Sequence, residues 1–304
     1  MQARQLKRPG TIDPGLLKAW PLPEPPKDAD KEIRGRVLIV AGARQLAGVP
    51  ILCGEAALRA GAGKVTIAAP ESIAAVVGLA LPECRVIGLP EGQSEKNNKA
   101  AVAKIPAHCL EQDAVLIGPG MEGERGAVNF ASALLPRLKC DRIILDASAM
   151  GAVKGSQAGS RRKVLITPHA GELAHLLDCN RSRIEEDGAL AAVGAAHRWD
   201  CLVALKGATT HIATPMGQLW RFDGGHEGLG VSGSGDVLAG IILGLAGRGA
   251  ALEQAAAWGV ALHGFAGRRL AEKMGTIGYL AREIPRQVPP LMHRLCKRRG
   301  RRLK

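Results

Sequence analysis

From Gly35 onward the chain alternates strand-length apolar runs with segments of helical character, and this alternation limits the fold more than any other feature. The runs predicted as strands are residues 37–41, 65–69, 85–89, 114–117, 143–146, 164–167 and 202–206. Strands that are apolar throughout must be covered on both faces, and a helix after each supplies the crossover between parallel neighbours. The expected class is therefore α/β, with a mostly parallel central sheet between two helical layers. Predicted helices include residues 51–60, 100–104, 128–135 and 183–198, followed by long ones at 237–245 and 252–274. Residues 211–214 and 218–222 flank Pro215-Met216-Gly217 and predict a β-hairpin.

No internal repeat or linker interrupts this pattern, so residues 35–292 are expected to form one domain. A proline-rich stretch at 21–26 makes residues 1–34 an expected extended arm on or beside the fold. The net charge of +13 invites a nucleic-acid reading, but much of the excess lies in residues 293–304, expected to be a solvated, frayed basic tail. Aromatic residues are 3% of the chain, too few for a base-stacking surface, so no nucleic-acid partner is expected. A diffuse positive field would still draw a polyanionic nucleotide. Seven dispersed cysteines without a C-x-x-C pair read as free thiols in a reducing compartment. Neither an apolar leader nor an uncharged membrane-length run is visible, which makes the cytoplasm the expected location, with no membrane partner expected.

The unusual residues cluster at strand ends. Gly118-Pro119-Gly120, Asp146, Thr167-Pro168-His169 and Lys206-Gly207 each follow a predicted strand. In a parallel sheet the carboxyl ends of the strands share one edge, where ligands bind, so these loops should converge. Gly233-Ser234-Gly235-Asp236 precedes a long apolar helix. Its glycines let amide N–H groups turn outward, and the helix dipole adds positive potential, which suits a transferring phosphoryl group. Asp236 in the first turn can take a proton from an attacking hydroxyl, although an aspartate there also serves as an ordinary helix cap. Glu172 could hold Mg²⁺ through water, and His169 could bond a polar ligand group; alone, Glu172 reads more simply as a first-turn carboxylate. Lys206, ending an apolar strand, needs water or an anion at its head, and a nucleotide phosphate would meet that need. Gly118 to Gly123 imitates the G-x-G-x-x-G of dinucleotide-binding turns, with Pro119 out of place and the helix predicted to resume only after Gly126.

In this order, the motifs resemble the ADP/ATP-dependent NAD(P)H-hydrate dehydratases, a family with a ribokinase-like three-layer αβα sandwich. The resemblance runs from about Gly35 to Pro290. It rests on residues 35–42, 54–63 and 117–120, the Thr167–Glu172 hexapeptide, Lys206-Gly207-Ala208, Gly233-Ser234-Gly235-Asp236 and Leu262-His263-Gly264. It implies phosphorylation of a ring hydroxyl on hydrated NADH or NADPH, followed by expulsion of phosphate. It also implies Mg²⁺, ADP or ATP as phosphoryl donor, and a homo-oligomer. Asp236 would be the catalytic base. Val49, Gly120, His169 and Asp236 would contact the hydrated dinucleotide. Lys206, Gly207, Ala208, Thr209, Thr210 and Gly235 would line the nucleotide side. The substrate loops depart from the family's common pattern at Val49, Arg44, Ser148 and Met121-Glu122. A small-molecule kinase of the same fold is the alternative, and a non-catalytic binding protein ranks last.

Overall fold

The computed structural model describes residues 9–26, 28–91, 95–155 and 163–296. Its strands are β1 (Gly10–Thr11), β2 (Arg36–Val40), β3 (Lys64–Pro70), β4 (Arg85–Leu89), β5 (Ala114–Ile117), β6 (Arg142–Leu145), β7 (Lys163–Ile166), β8 (Leu202–Leu205), β9 (Thr210–Ala213) and β10 (Leu219–Phe222). Its helices are α1 (Pro14–Ala19), α2 (Gly48–Arg59), α3 (Glu71–Ala80), α4 (Glu95–Lys104), α5 (Glu124–Leu134), α6 (Ala170–Leu177), α7 (Arg181–Glu186), α8 (Gly188–Trp199), α9 (Ser234–Gly247), α10 (Leu252–Met274) and α11 (Val288–Cys296). Among the described residues, none of these helices is long and apolar enough to cross a membrane.

The strands form one sheet in the order β1-β10-β9-β8-β7-β6-β5-β2-β3-β4. Neighbours are parallel except where β9 runs against β8 and β10, the predicted hairpin. Period-2 alternation divides each strand between two cores. In β2, Val37 and Ile39 face the layer built from α1, α2, α9, α10 and α11, whereas Leu38 and Val40 face the layer containing α4 to α8. The result is the expected three-layer α/β arrangement.

Chain order sets where the sheet opens. From β2 the chain steps outward through β3 to β4, then returns to lay β5 on the other side of β2 and proceeds through β6, β7 and β8. The loops after β2 and β5 therefore leave in opposite directions, which creates a crevice at the carboxyl edge. One bond ties them there, from the Gly42 N–H to Pro119 O at 2.8 Å.

Helix α9 is buried nearly all round and lies directly on α2. An added Cβ would fall 2.5 Å from Cys53 O at Gly240 and 2.4 Å from Ala57 O at Gly244. Only glycine permits that backbone approach. The four-residue steps on both helices show that they run parallel, so their first turns reach the sheet edge side by side.

Three expectations change. Residues 1–34 are not merely extended: β1 adds an edge strand beside β10, and Asp13 caps α1 through the Leu16 N–H at 2.8 Å. Ile12, Leu17 and Leu22 from this segment are buried in the core. A two-residue strand and a six-residue helix are too short to produce periodicity. The helix predicted at 183–198 is broken at Asp187, whose Oδ1 accepts from the Leu190 N–H at 2.9 Å and starts α8 afresh. Helix α11 continues to Cys296, past the expected start of the frayed tail, because Val288, Leu291 and Leu295 bury one face. Residues 297–304 of that tail lie outside the described residues.

Candidate active site

At the ends of β6, β7 and β8 the structure assembles a charged group around Lys206. Asp146 is buried, and the Thr167 hydroxyl donates to its Oδ1 at 2.5 Å. Lys206 Nζ donates to the same oxygen at 3.3 Å and lies 3.9 Å from Glu172 Oε2. A backbone bond from the Lys206 N–H to Pro168 O, 2.7 Å, holds the two loops in register. Burial works against the ammonium, but the Asp146 and Glu172 carboxylates more than offset it and raise its pKa above the usual lysine range. Lys206 is thus a fixed cation at this edge.

The first turn of α9 meets that cation from above the sheet. Gly233, at φ +88°, turns the chain into the helix. Gly235 has no Cβ to press on Lys206 Nζ, which lies 3.4 Å from where one would sit. The Ser234 N–H is bonded to Val231 O and the Val237 N–H to Gly233 O. Gly235 lies between them, in the turn whose amides find no partner in their own helix. Asp236 is pushed up to about 6, mainly by burial and then by the Asp146 charge, with Lys206 opposing. A carboxylate near 6 is a better proton acceptor than a solvated aspartate. The turn is held from two sides. Cys53 Sγ of α2 donates to Asp236 O at 3.4 Å, and His263 Nε2 of α10 lies 3.0 Å from both Ser234 Oγ and Ser234 O.

A cleft of about 790 Å³ opens beside this turn. Lys206, Gly207, Ala208, Thr210, Ser234 and Gly235 form its polar side, and Phe222, Leu229, Leu238 and Val260 its apolar wall. That pairing suits a nucleotide, with phosphates at the cation and helix end and the base against the apolar wall. Thr209 is absent from the lining; its hydroxyl donates to Asp223 Oδ1 at 2.9 Å.

His169 and Glu172 serve each other. The His169 Nδ1 accepts from the Gly171 N–H at 3.0 Å and the Glu172 N–H at 3.2 Å, while Glu172 Oε2 accepts from the His169 N–H at 2.8 Å. This is a capping box with histidine in the serine or threonine position. Nδ1 therefore carries no proton, and the ring, largely exposed, holds Nε2 3.6 Å from Glu172 Oε2. Glu172 thus fills the first-turn role that its position suggested. Among the described residues there is no cluster of three or more His, Cys, Asp or Glu side chains placed to hold a metal.

Val49 and Gly120 meet at the crevice between β2 and β5. Gly120 has φ +65°, and Val49 side-chain atoms lie 2.9–3.1 Å from where its Cβ would be, so no larger residue fits. Leu52, one turn along α2 from Val49, packs on Gly233. The first turn of α2 therefore connects the Gly120 loop to the Asp236 turn. Helix α5 begins at Glu124, directly after Gly123 and earlier than expected, so the glycine-rich stretch does lead into a helix. Sequence reasoning assigned no site role to Thr167 or to His263. Both lay within motifs that carried the family resemblance, Thr167–Glu172 and Leu262-His263-Gly264.

The family profile described as NAD(P)H-hydrate dehydratase matches residues 37–290. An ADP-dependent (S)-NAD(P)H-hydrate dehydratase from Xanthomonas campestris is 43% identical over 288 residues, covering 94% of this chain and 96% of that one. The structure of the ADP/ATP-dependent NAD(P)H-hydrate dehydratase from Bacillus subtilis, co-crystallised with ATP and Mg²⁺, superposes with a TM-score of 0.82 at 26% identity and covers 96% of this chain and all of that one. A ribokinase-like superfamily protein from Enterococcus faecalis superposes with a TM-score of 0.78 at 26% identity, over 94% of this chain and 96% of that one. Since the match takes in the sheet, the cleft and the Asp236 turn together, this chain belongs to the NAD(P)H-hydrate dehydratase family, on a ribokinase-like α/β fold.

Proposed function

We propose that the protein dehydrates hydrated NADH or NADPH at the expense of ADP or ATP, with Asp236 as the catalytic base. The observation that carries this reading is Asp236, raised to about 6 in the first turn of a helix whose Ser234 and Gly235, with neighbouring Lys206, line a nucleotide-sized cleft. The ring hydroxyl attacks the terminal phosphorus of the donor, and Asp236 accepts the hydroxyl proton. The bond to the donor's bridging oxygen breaks, which releases AMP from ADP or ADP from ATP. The Gly235 amide and the Lys206 ammonium stabilise the charge spread over the transferring oxygens. The ring nitrogen's lone pair then expels phosphate from the ring carbon. Loss of a proton from the adjacent carbon restores the reduced nicotinamide.

His169 offers its Nε2–H to the substrate, and Val49 and Gly120 shape the surface beside it. Lys206, Gly207, Ala208 and Thr210 line the donor cleft; Thr209 contributes through Asp223, which it helps hold. The residues also fit Mg²⁺, because that ion commonly takes one or two carboxylates and fills its remaining positions with water and phosphate oxygens. Glu172 would hold it through Oε1, since the helix cap engages Oε2. When bound, the ion would neutralise charge on the donor phosphates. The Xanthomonas relative's dependence on ADP favours ADP as donor here.

The test is recovery of reduced-nicotinamide absorbance from hydrated NADH, with Mg²⁺ and each nucleotide supplied separately. The expected result is turnover whose kcat/KM falls as pH drops through about 6, the value for Asp236. No recovery with either nucleotide overturns the reading. A stable phosphorylated product without phosphate release would make the protein a small-molecule kinase instead.

A further inference from the structure

A second cavity, of about 310 Å³, lies apart from the nucleotide cleft on the same sheet edge. It opens at the crevice where the loops after β2 and β5 diverge. Gly42 and Arg44 form one side and Met121 and Glu122 the other, over a floor that includes Leu89 and Phe130. Resting on the proposed dehydration of a hydrated dinucleotide, we infer that this cavity receives the adenosine half of that substrate.

Three observations carry the inference. The first is topological: chain reversal between β2 and β5 makes this the place where an open α/β sheet offers a ligand crevice. The second is span. Asp146 ends β6, and the cavity reaches the ends of β2 to β4, so three strand spacings from β6 to β3 give a separation of about 14 Å. A pyrophosphate-bridged dinucleotide laid out in extended form bridges a distance of that order between its two rings. Packed residues link the two ends: Met121 directly follows Gly120, which Val49 covers, and Leu52, one turn further along α2, packs on Gly233.

The third is chemistry and size. The volume is at the lower end for small-molecule sites, enough for one nucleoside but not for a whole dinucleotide. Its floor is apolar and includes an aromatic ring, which suits a purine face. The rim places Arg44, Glu91 and Glu122 at the solvent edge, where ribose hydroxyls find both donors and acceptors. The donor's own adenosine has its place elsewhere, in the cleft over β7 to β10.

The experiment compares hydrated NADH with hydrated reduced nicotinamide mononucleotide, which keeps the reacting ring but lacks adenosine. Two substitutions narrow the cavity from different walls, Ala127→Leu and Met121→Trp. Each is expected to raise KM for hydrated NADH at least tenfold more than KM for the mononucleotide, and wild type is expected to show a clear kcat/KM advantage for the dinucleotide. Equal effects on both substrates in both variants, or no wild-type preference, overturn the assignment. A parallel measurement needs no turnover: NAD⁺ binding by calorimetry with ADP saturating the cleft, expected to weaken at least tenfold in both variants while ADP affinity holds. Cavity-dependent NAD⁺ binding in a protein that does not dehydrate hydrated NADH would sink the dehydration reading alone. Dehydration with NAD⁺ affinity indifferent to both variants would sink the adenosine pocket alone.

Discussion

The raised pKa of Asp236 makes its contribution to stability opposite to its contribution to chemistry. Its folded value of about 6 exceeds the ordinary 3.8 because burial and the Asp146 charge disfavour the ionised form. Below both values the carboxyl is protonated whether the chain is folded or not, and it favours neither state. As pH rises between them, the unfolded chain releases its proton first, so stability falls across this window and the full cost is present above about 6. Asp236→Asn removes the charge and nearly keeps the shape. It should abolish turnover yet stabilise the fold at pH 8, by at most about 3 kcal/mol for a shift of roughly two units. Urea melts at pH 8 and pH 4 check this; a gain of equal size at both would rule out the electrostatic cause. Asp236 was legible because glycines and an apolar helix surround it in sequence. The bond between Thr167 and Asp146, and the Val49–Gly120 contact, were not, since each joins residues far apart along the chain.

At the scale of elements, the phosphate-facing turn depends on the helices beside it. His263 reaches from α10 to Ser234 at the start of α9, and burial pushes its pKa down to about 4, so it sits neutral in the core. His263→Ala leaves a cavity and strips Ser234 of a partner, a loss of about 1–3 kcal/mol at neutral pH with weaker ADP binding. The sign of its pH dependence follows from the depressed value. The neutral ring's contribution is complete above about 6.5 and declines as pH falls toward 4, because the unfolded chain takes up a proton that the folded one refuses. The destabilisation by His263→Ala should therefore be smaller at about pH 5 than at about pH 7.5, as paired denaturant titrations would show. A constant difference would mean that His263 takes up a proton as readily in the folded protein as in the unfolded chain. Helices α9 and α10 were readable from long apolar stretches, but their contact with each other was not. Likewise, glycines 240 and 244 look like helix-weakening choices until α2 is seen lying on them.

For the whole molecule, the amino-terminal segment is part of the structure and not an appendage. It extends the sheet through β1, stacks Trp20 on Trp220 with ring centroids 5.8 Å apart, and accepts the Trp258 indole N–H at Trp20 O, 2.8 Å away. Leu17 is fully buried in the core that α9 and α10 share. Leu17→Ala should cost about 2–5 kcal/mol, the range for a buried leucine that leaves a cavity. Because Leu17 does not itself line the cleft, ADP affinity measured well below the melting temperature should not change. An unaltered melting temperature would show that the segment is not docked in solution.

The order of apolar runs and helices determined the layered α/β class by itself, because a strand without a polar face has no stable place except inside a covered sheet. Special residues at strand ends likewise determined which loops would meet, since parallel strands bring their carboxyl ends to one edge. Tertiary structure decided what those residues do there. It paired His169 with Glu172 as a helix cap, turned Thr209 toward Asp223, and set Lys206 among carboxylates that keep it charged. It also placed a second cavity where the chain reverses between β2 and β5. Local pattern carries no record of these arrangements, because burial, field and contact arise only when distant segments share the same space.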